Sequence, residues 1–233
     1  MDRTALRTII PAIMGLLLSS AVSLYADDWQ LKKNSRGVRV YTRAVAGSRS
    51  LEFKAVTEVE SSMAGVLKLM EDIESYPEWF PNMKEVKLIK ILNPHEVVLY
   101  QMMNVPFPAH DRDSYFKVTA RRDLASGAAI LLLSSMWEYG PEIKNVVRVK
   151  SISGSWTFLP SKDRDAVTVT YNLHTEPGGQ LPAWMANAAV VKRPFTILVK
   201  MKEMLKNPRY RDARTSELRS EERRVGKECR SRW

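Results

Sequence analysis

Cysteine is nearly absent: the single copy in 233 residues is Cys229, close to the C-terminal end. The rest of the chain therefore has no disulfide, no thiolate metal site and no thiol nucleophile. Histidine is also scarce, with three copies that form no set. His95 begins a strand-like run, His110 falls in a loop, and His174 lies on the polar face of another run. Residues 27–208 contain no H-x-x-x-H and no G-x-S-x-G, and Gly178-Gly179 is a turn ahead of a helical segment rather than a phosphate loop. Asp111 and Asp113 flank Arg112 and read as its solvated surroundings, not as a glycosidase dyad. No catalytic residue, metal ligand or cofactor is expected.

Long apolar runs are lacking too. The best, Thr8 to Tyr25, is broken by Pro11, Ser19, Ser20 and Ser23 and is short for a membrane span. Arg3 and Arg7 precede an apolar core from Ile9 to Leu18, and Ala26 offers a small residue for cleavage, so residues 1–26 read as a secretory signal. Leu24 departs from the small residue preferred there, which leaves cleavage after Ala21 as an alternative and an uncleaved anchor as the competing reading. The expected location is periplasmic or secreted.

Positive charge is in excess, with 36 Lys+Arg against 26 Asp+Glu, or +10. Half of that excess lies in the flanks, since 27–208 holds 25 basic and 20 acidic residues, or +5. With no basic–aromatic stripe, nucleic acid is not an expected partner, whereas transient attraction to an anionic membrane surface is. From Ser216 the chain reads SELRSEERRVGKECRSRW, a dense mixture of charges without apolar period. Residues 209–233 are accordingly set aside as a disordered basic tail resembling a read-through scar, with a genuine tail as the alternative.

Between these ends the pattern is strand-rich. Trp29–Asn34 and Val38–Arg43 read as strands joined by a turn at Ser35-Arg36-Gly37. Leu51–Glu60 alternates, with Phe53, Ala55, Thr57 and Val59 on one face. Helical spacing follows from Met63 to Ile73, capped by Ser61 or Ser62 and stopped by Pro77. Strand-like runs follow at Met83–Leu92, Glu96–Met103, Arg112–Arg122, Ala128–Trp137, Val146–Leu159 and Ala166–Thr175. Last comes a long helical segment, Leu181–Lys206, in which Pro194 predicts a kink. The fold class is α+β: a curved antiparallel sheet with one apolar face, which only the terminal helix is long enough to cover. A cavity is left wherever side chains fail to fill the gap.

The ordered motifs resemble those of the START (steroidogenic-acute-regulatory-related lipid-transfer) family, in its bacterial exported branch. They are Trp29, Leu31 and Gly37 to Tyr41, Tyr76-Pro-Glu-Trp79, Arg112-Asp113, the Arg148 to Trp156 run, and Pro177-Gly-Gly-Gln-Leu-Pro-Ala-Trp184 with Asn187. The resemblance spans roughly 29–206 and implies a helix-grip fold, about nine strands wrapped around the C-terminal helix. It also implies a tunnel holding one lipid, sterol or similar apolar molecule, for carriage in the cell envelope by a monomer that is not an enzyme. The alternative within the superfamily is an aromatase/cyclase-type enzyme, which would need several convergent acids, bases or hydroxyls where only Arg112, with Tyr100 or Ser134, can be nominated.

The same resemblance makes Asn104–His110 the gate, with Phe107 between two prolines at its tip. Phe107 either covers the tunnel or dips into a membrane, or else packs as a satellite core residue. Counting by two, Arg112 shares a face with Phe116 and Val118. It either holds a ligand's polar head or forms a structural ion pair, with Asp111 for example. Steroid-binding members place a second arginine further along this strand, where this chain has Phe116 and Val118, so sterol specificity is not implied. Met102, Phe116, Trp137, Trp184, Met185, Leu198 and Met201 complete the expected ligand-binding set, and Lys192, Arg193 and Lys200 are candidates for headgroup contact.

Overall fold

The computed structural model describes residues 28–213, apart from Gln180 and Pro182. The expected signal segment lies outside the described residues. In β1 (Gln30–Ser35) and β2 (Val38–Arg43) the hairpin closes through Arg36 and Gly37, both at positive φ (52° and 72°), the conformation that matches strand twist. β3 (Glu52–Val59) buries Phe53, Ala55, Thr57 and Val59 in strict alternation.

The first helix is shorter than its apolar period. α1 (Met63–Glu71) starts where the Ser62 hydroxyl accepts from the Gly65 N–H at 3.1 Å and ends at Asp72. A 3-10 turn (Ile73–Ser75) then leads into α2 (Tyr76–Trp79). Pro77 does not stop α1 but sits in the first turn of α2, where its missing N–H costs nothing.

The remaining strands are β4 (Met83–Asn93), β5 (Glu96–Met103), β6 (Asp111–Arg122), β7 (Ala129–Ser135), β8 (Val146–Arg148), β9 (Ser151–Pro160) and β10 (Val167–Glu176). They form one sheet in the order β1-β2-β3-β10-β9-β7-β6-β5-β4, all antiparallel, with β8 pairing parallel to the start of β6. The tenth strand arises because the run 146–159 divides. Its first residues pair with β6 while the rest pair with β7 and β10, and one straight strand cannot serve both.

α3 (Ala183–Met204) lies in the concave face and continues through Pro194. Its C-terminal half packs solidly: Ile197, Leu198, Met201 and the following Leu205 are buried with Val38, Val40 and Ala55. Each such side chain contributes about 1.5–3 kcal/mol of burial. The folded body also runs past 208, correcting the expected boundary. α4 (Pro208–Arg211) buries Tyr210, whose hydroxyl donates to Asp72 Oδ2 at 2.6 Å. The approach to α1 is close enough that a Cβ on Gly65 would stand 2.6 Å from the Tyr210 carbonyl oxygen. Among the described residues no helix is long and apolar enough to cross a membrane.

Candidate binding cavity

The sheet and the N-terminal half of α3 meet only in places, as where Arg193 reaches Met103 of β5. Between them is a cavity of about 550 Å³, within the range of sites for small organic molecules. Alternation decides what each strand contributes. β5 presents Leu99, Gln101 and Met103, and β6 presents Arg112, Ser114, Phe116 and Val118. β7 adds Leu131 and Leu133. The helix side is made by Met185, Ala186, Ala189, Val190, Arg193 and Ile197, positions that recur at helical spacing. One end is floored by aromatics, where Trp156 and Tyr171 stack at 3.8 Å between centroids and Tyr76 and Phe80 stack at 5.0 Å. Burial pushes the Tyr171 phenol up to about 12, and raises that of Tyr76 as well. Among the described residues the wall holds no Asp, Glu or His; its charged groups are Arg112, Lys192 and Arg193.

Of the expected ligand-binding residues, Arg112, Phe116 and Met185 line this cavity. Of the others, all but Trp184 lie elsewhere. Met102 is on the opposite parity of β5 from Leu99 and Met103 and pairs with Asp113 on the sheet's other face. Trp137 lies beyond the end of β7 in a turn, 38% exposed, with Lys150 Nζ 4.9 Å above its ring. Leu198 and Met201 are fully buried but sit in the solid half of α3, where the helix rests on the sheet without a gap. Trp184 falls in α3, but its side chain lies outside the described residues. Phe107 is 95% exposed, so it is neither a core residue nor a tunnel wall, although Asn104, Val105 and Pro106 of the same loop do line the cavity.

Arg112 is buried on the inward face, as its strand parity predicts. The ion pair with Asp111 is not made. That carboxylate faces the other way, accepting from Lys84 Nζ at 3.1 Å and from the Val105 N–H at 3.1 Å. The Lys84 contact holds it below the usual carboxylate range. Arg112 instead donates from Nη1 to the His110 carbonyl and reaches the Gly178 carbonyl with Nη2 at 3.5 Å.

Two arginines carry roles that sequence patterning missed. Arg148 forms a buried pair with Asp113, through Nε to Oδ1 at 2.8 Å and Nη2 to Oδ2 at 2.9 Å. Arg148 also donates to the carbonyls of Trp137, Gly140 and Pro141. Only the parallel β6–β8 register, which sets Asp113 beside Arg148, brings them together. Arg193 is directed inward, with Nη2 3.0 Å from Met103 Sδ, rather than toward headgroups. Counting eight positions on from Met185 along the helix would have placed it on the lining face.

A single curved sheet closed by one long helix over an apolar cavity with few polar groups defines a binding protein for hydrophobic small molecules. The family model for the START domain matches residues 17–211, and the chain belongs to that family. It is 35% identical over 173 residues to an uncharacterised protein of Pseudomonas aeruginosa, covering 74% of this chain and 84% of that one. It is 28% identical to the phosphatidylcholine transfer protein of Mus musculus, covering 72% and 78%. Among solved structures, a STAR-related lipid transfer protein from Xanthomonas axonopodis superposes with a TM-score of 0.71 at 31% identity, covering 78% of this chain and all (100%) of that one.

Proposed function

We propose that this protein carries one lipid or similar hydrophobic molecule in the cavity beneath α3, as a monomer in the cell envelope. The observation that carries the proposal is the 550 Å³ space between sheet and helix, walled chiefly by apolar side chains. Relatives named as lipid transfer proteins support the same reading, and the amino-terminal pattern of residues 1–26 supports export. A carrier is favoured over a cyclase because the described wall offers no carboxylate or imidazole to move a proton.

Uptake would follow displacement of the N-terminal half of α3 and of the loop 104–110, whose base lines the cavity while Phe107 stands out in solvent. Phe107 would enter the bilayer, and Lys192 at the rim would attract anionic headgroups. The test is organic extraction and mass spectrometry of the purified full chain, with vesicle-to-vesicle transfer of the extracted lipid. One co-purifying lipid per chain is expected, and Phe107→Asp should slow transfer while leaving the bound lipid in place. A folded protein with no extractable and no exchangeable apolar ligand would sink the carrier reading.

A further inference from the structure

The two buried arginines of the β6–β8 region differ in one respect. Arg148 spends the edge formed by Nε and Nη2 on the carboxylate of Asp113 and uses Nη1 for the carbonyls of Trp137 and Gly140. Arg112 likewise places Nη1 on a carbonyl, that of His110. Among the described residues its Nε–Nη2 edge has no carboxylate: Nε is buried without a partner, and Nη2 has only the Gly178 carbonyl at 3.5 Å. The residue is 5% exposed, so bulk water does not replace the missing group. This edge is the one that grips a carboxylate or phosphate through two parallel hydrogen bonds.

Neighbouring acids cannot supply the anion. Asp111 is held by Lys84 on the other face, and both oxygens of Asp113 are taken by Arg148. A buried guanidinium without a counter-charge is costly, and a second, Arg193, faces the same cavity with a thioether as its partner. The Met103 that it touches is the cross-strand neighbour of Arg112.

We propose, on the basis of the carrier reading above, that the cargo is an amphiphile with an oxyanion head, carboxylate or phosphate, seated on the free edge of Arg112. Its tail runs along β6. The inward positions Arg112, Ser114, Phe116 and Val118 pass from cation to hydroxyl to hydrocarbon, over about 20 Å at about 3.4 Å per residue. Ser114, opposite Gln101, offers further hydrogen bonds beside the head.

The test uses the delipidated full chain and four ligands of equal tail length: a fatty acid, its methyl ester, the alkyl phosphate and the alkyl trimethylammonium. Inorganic phosphate and acetate serve as tail-free controls. Displacement of a fluorescent fatty acid is expected to rank the acid or the alkyl phosphate at least about tenfold above the ester. The preferred one of the two anions identifies the head. Arg112→Gln should erase that preference by weakening the acid and the alkyl phosphate far more than the ester, and Arg112→Lys should retain part of it. Equal binding of acid, ester and ammonium would overturn the head-group assignment while leaving the carrier intact. Binding of the tail-free anions as tight as that of the amphiphiles would also overturn it. Loss of ester and acid together in Arg112→Gln, with a lowered melting temperature, would make Arg112 structural and refute the proposal. Failure of every tailed ligand would instead refute the carrier reading.

Discussion

Removing one member of the buried Asp113–Arg148 pair should be among the most destabilising single changes in this protein. The two side chains are 1% and 3% exposed, so whichever charge is left behind has no solvent to turn to. Breaking a buried pair in this way costs about 3–5 kcal/mol. Arg148→Met should cost more than Asp113→Asn, because it also strands the carbonyls of Trp137, Gly140 and Pro141, at about 1 kcal/mol each. For a domain of this size each kcal/mol moves Tm by about 2–4 °C. Asp113→Asn is therefore expected to melt some 6–20 °C lower, and Arg148→Met lower still. Arg164→Met supplies the control: its partner Glu58 is closer still, at 2.5 Å, but the side chains are 56% and 46% exposed, and such pairs contribute under about 1 kcal/mol. Urea denaturation followed by circular dichroism measures all three. Losses for Asp113→Asn and Arg148→Met no larger than that of the Arg164 control would refute the reasoning from burial.

Two further perturbations test the packing around the cavity. A Cβ on Gly154 would lie 2.3 Å from the Asn172 carbonyl oxygen and 2.7 Å from Leu173 Cδ1. β10 is paired on both sides and cannot retreat, so Gly154→Ala should cost about 1–3 kcal/mol, read as a lowered denaturation midpoint; an unchanged midpoint would show that the strands can separate. Burial lifts the phenols of Tyr100 and Tyr171 to about 12, so the folded state favours their neutral forms. That stabilisation is complete below the ordinary tyrosine value of about 10 and fades as pH rises through it toward 12. Tyrosinate absorbance of these two should therefore appear only near pH 12 or together with unfolding, and their ionisation near pH 10 in a still-folded protein would contradict the burial.

The strand parities were legible because a period of two is a local property. Counting from Arg112 through Phe116 to Val118 put all three on the cavity side, as observed. The same count applies to β5, where Met103 and Leu99 share a face that Met102 cannot. Trp137 failed for a different reason: the strand ends at Ser135, and alternation means nothing beyond a strand's end. Leu198 and Met201 carry the apolar stripe that the helical period predicts. No period says at which residue a helix stops touching a sheet and begins to roof a void.

Order of elements, apolar faces and the place of the long helix follow from spacing, which each segment of chain carries within itself. The START resemblance added the cavity, and the family match accords with it. What only the tertiary structure decided is which charges meet. Asp113 and Arg148 are 35 residues apart, and nothing local distinguishes that acid from Asp111 two positions earlier. Register across β6 and β8 assigns one to a buried arginine, the other meets a surface lysine of β4, and Arg112 is left with one edge free. Pairing between distant charges depends on the relative position of strands to within one residue, a quantity fixed by packing and not written in either strand alone.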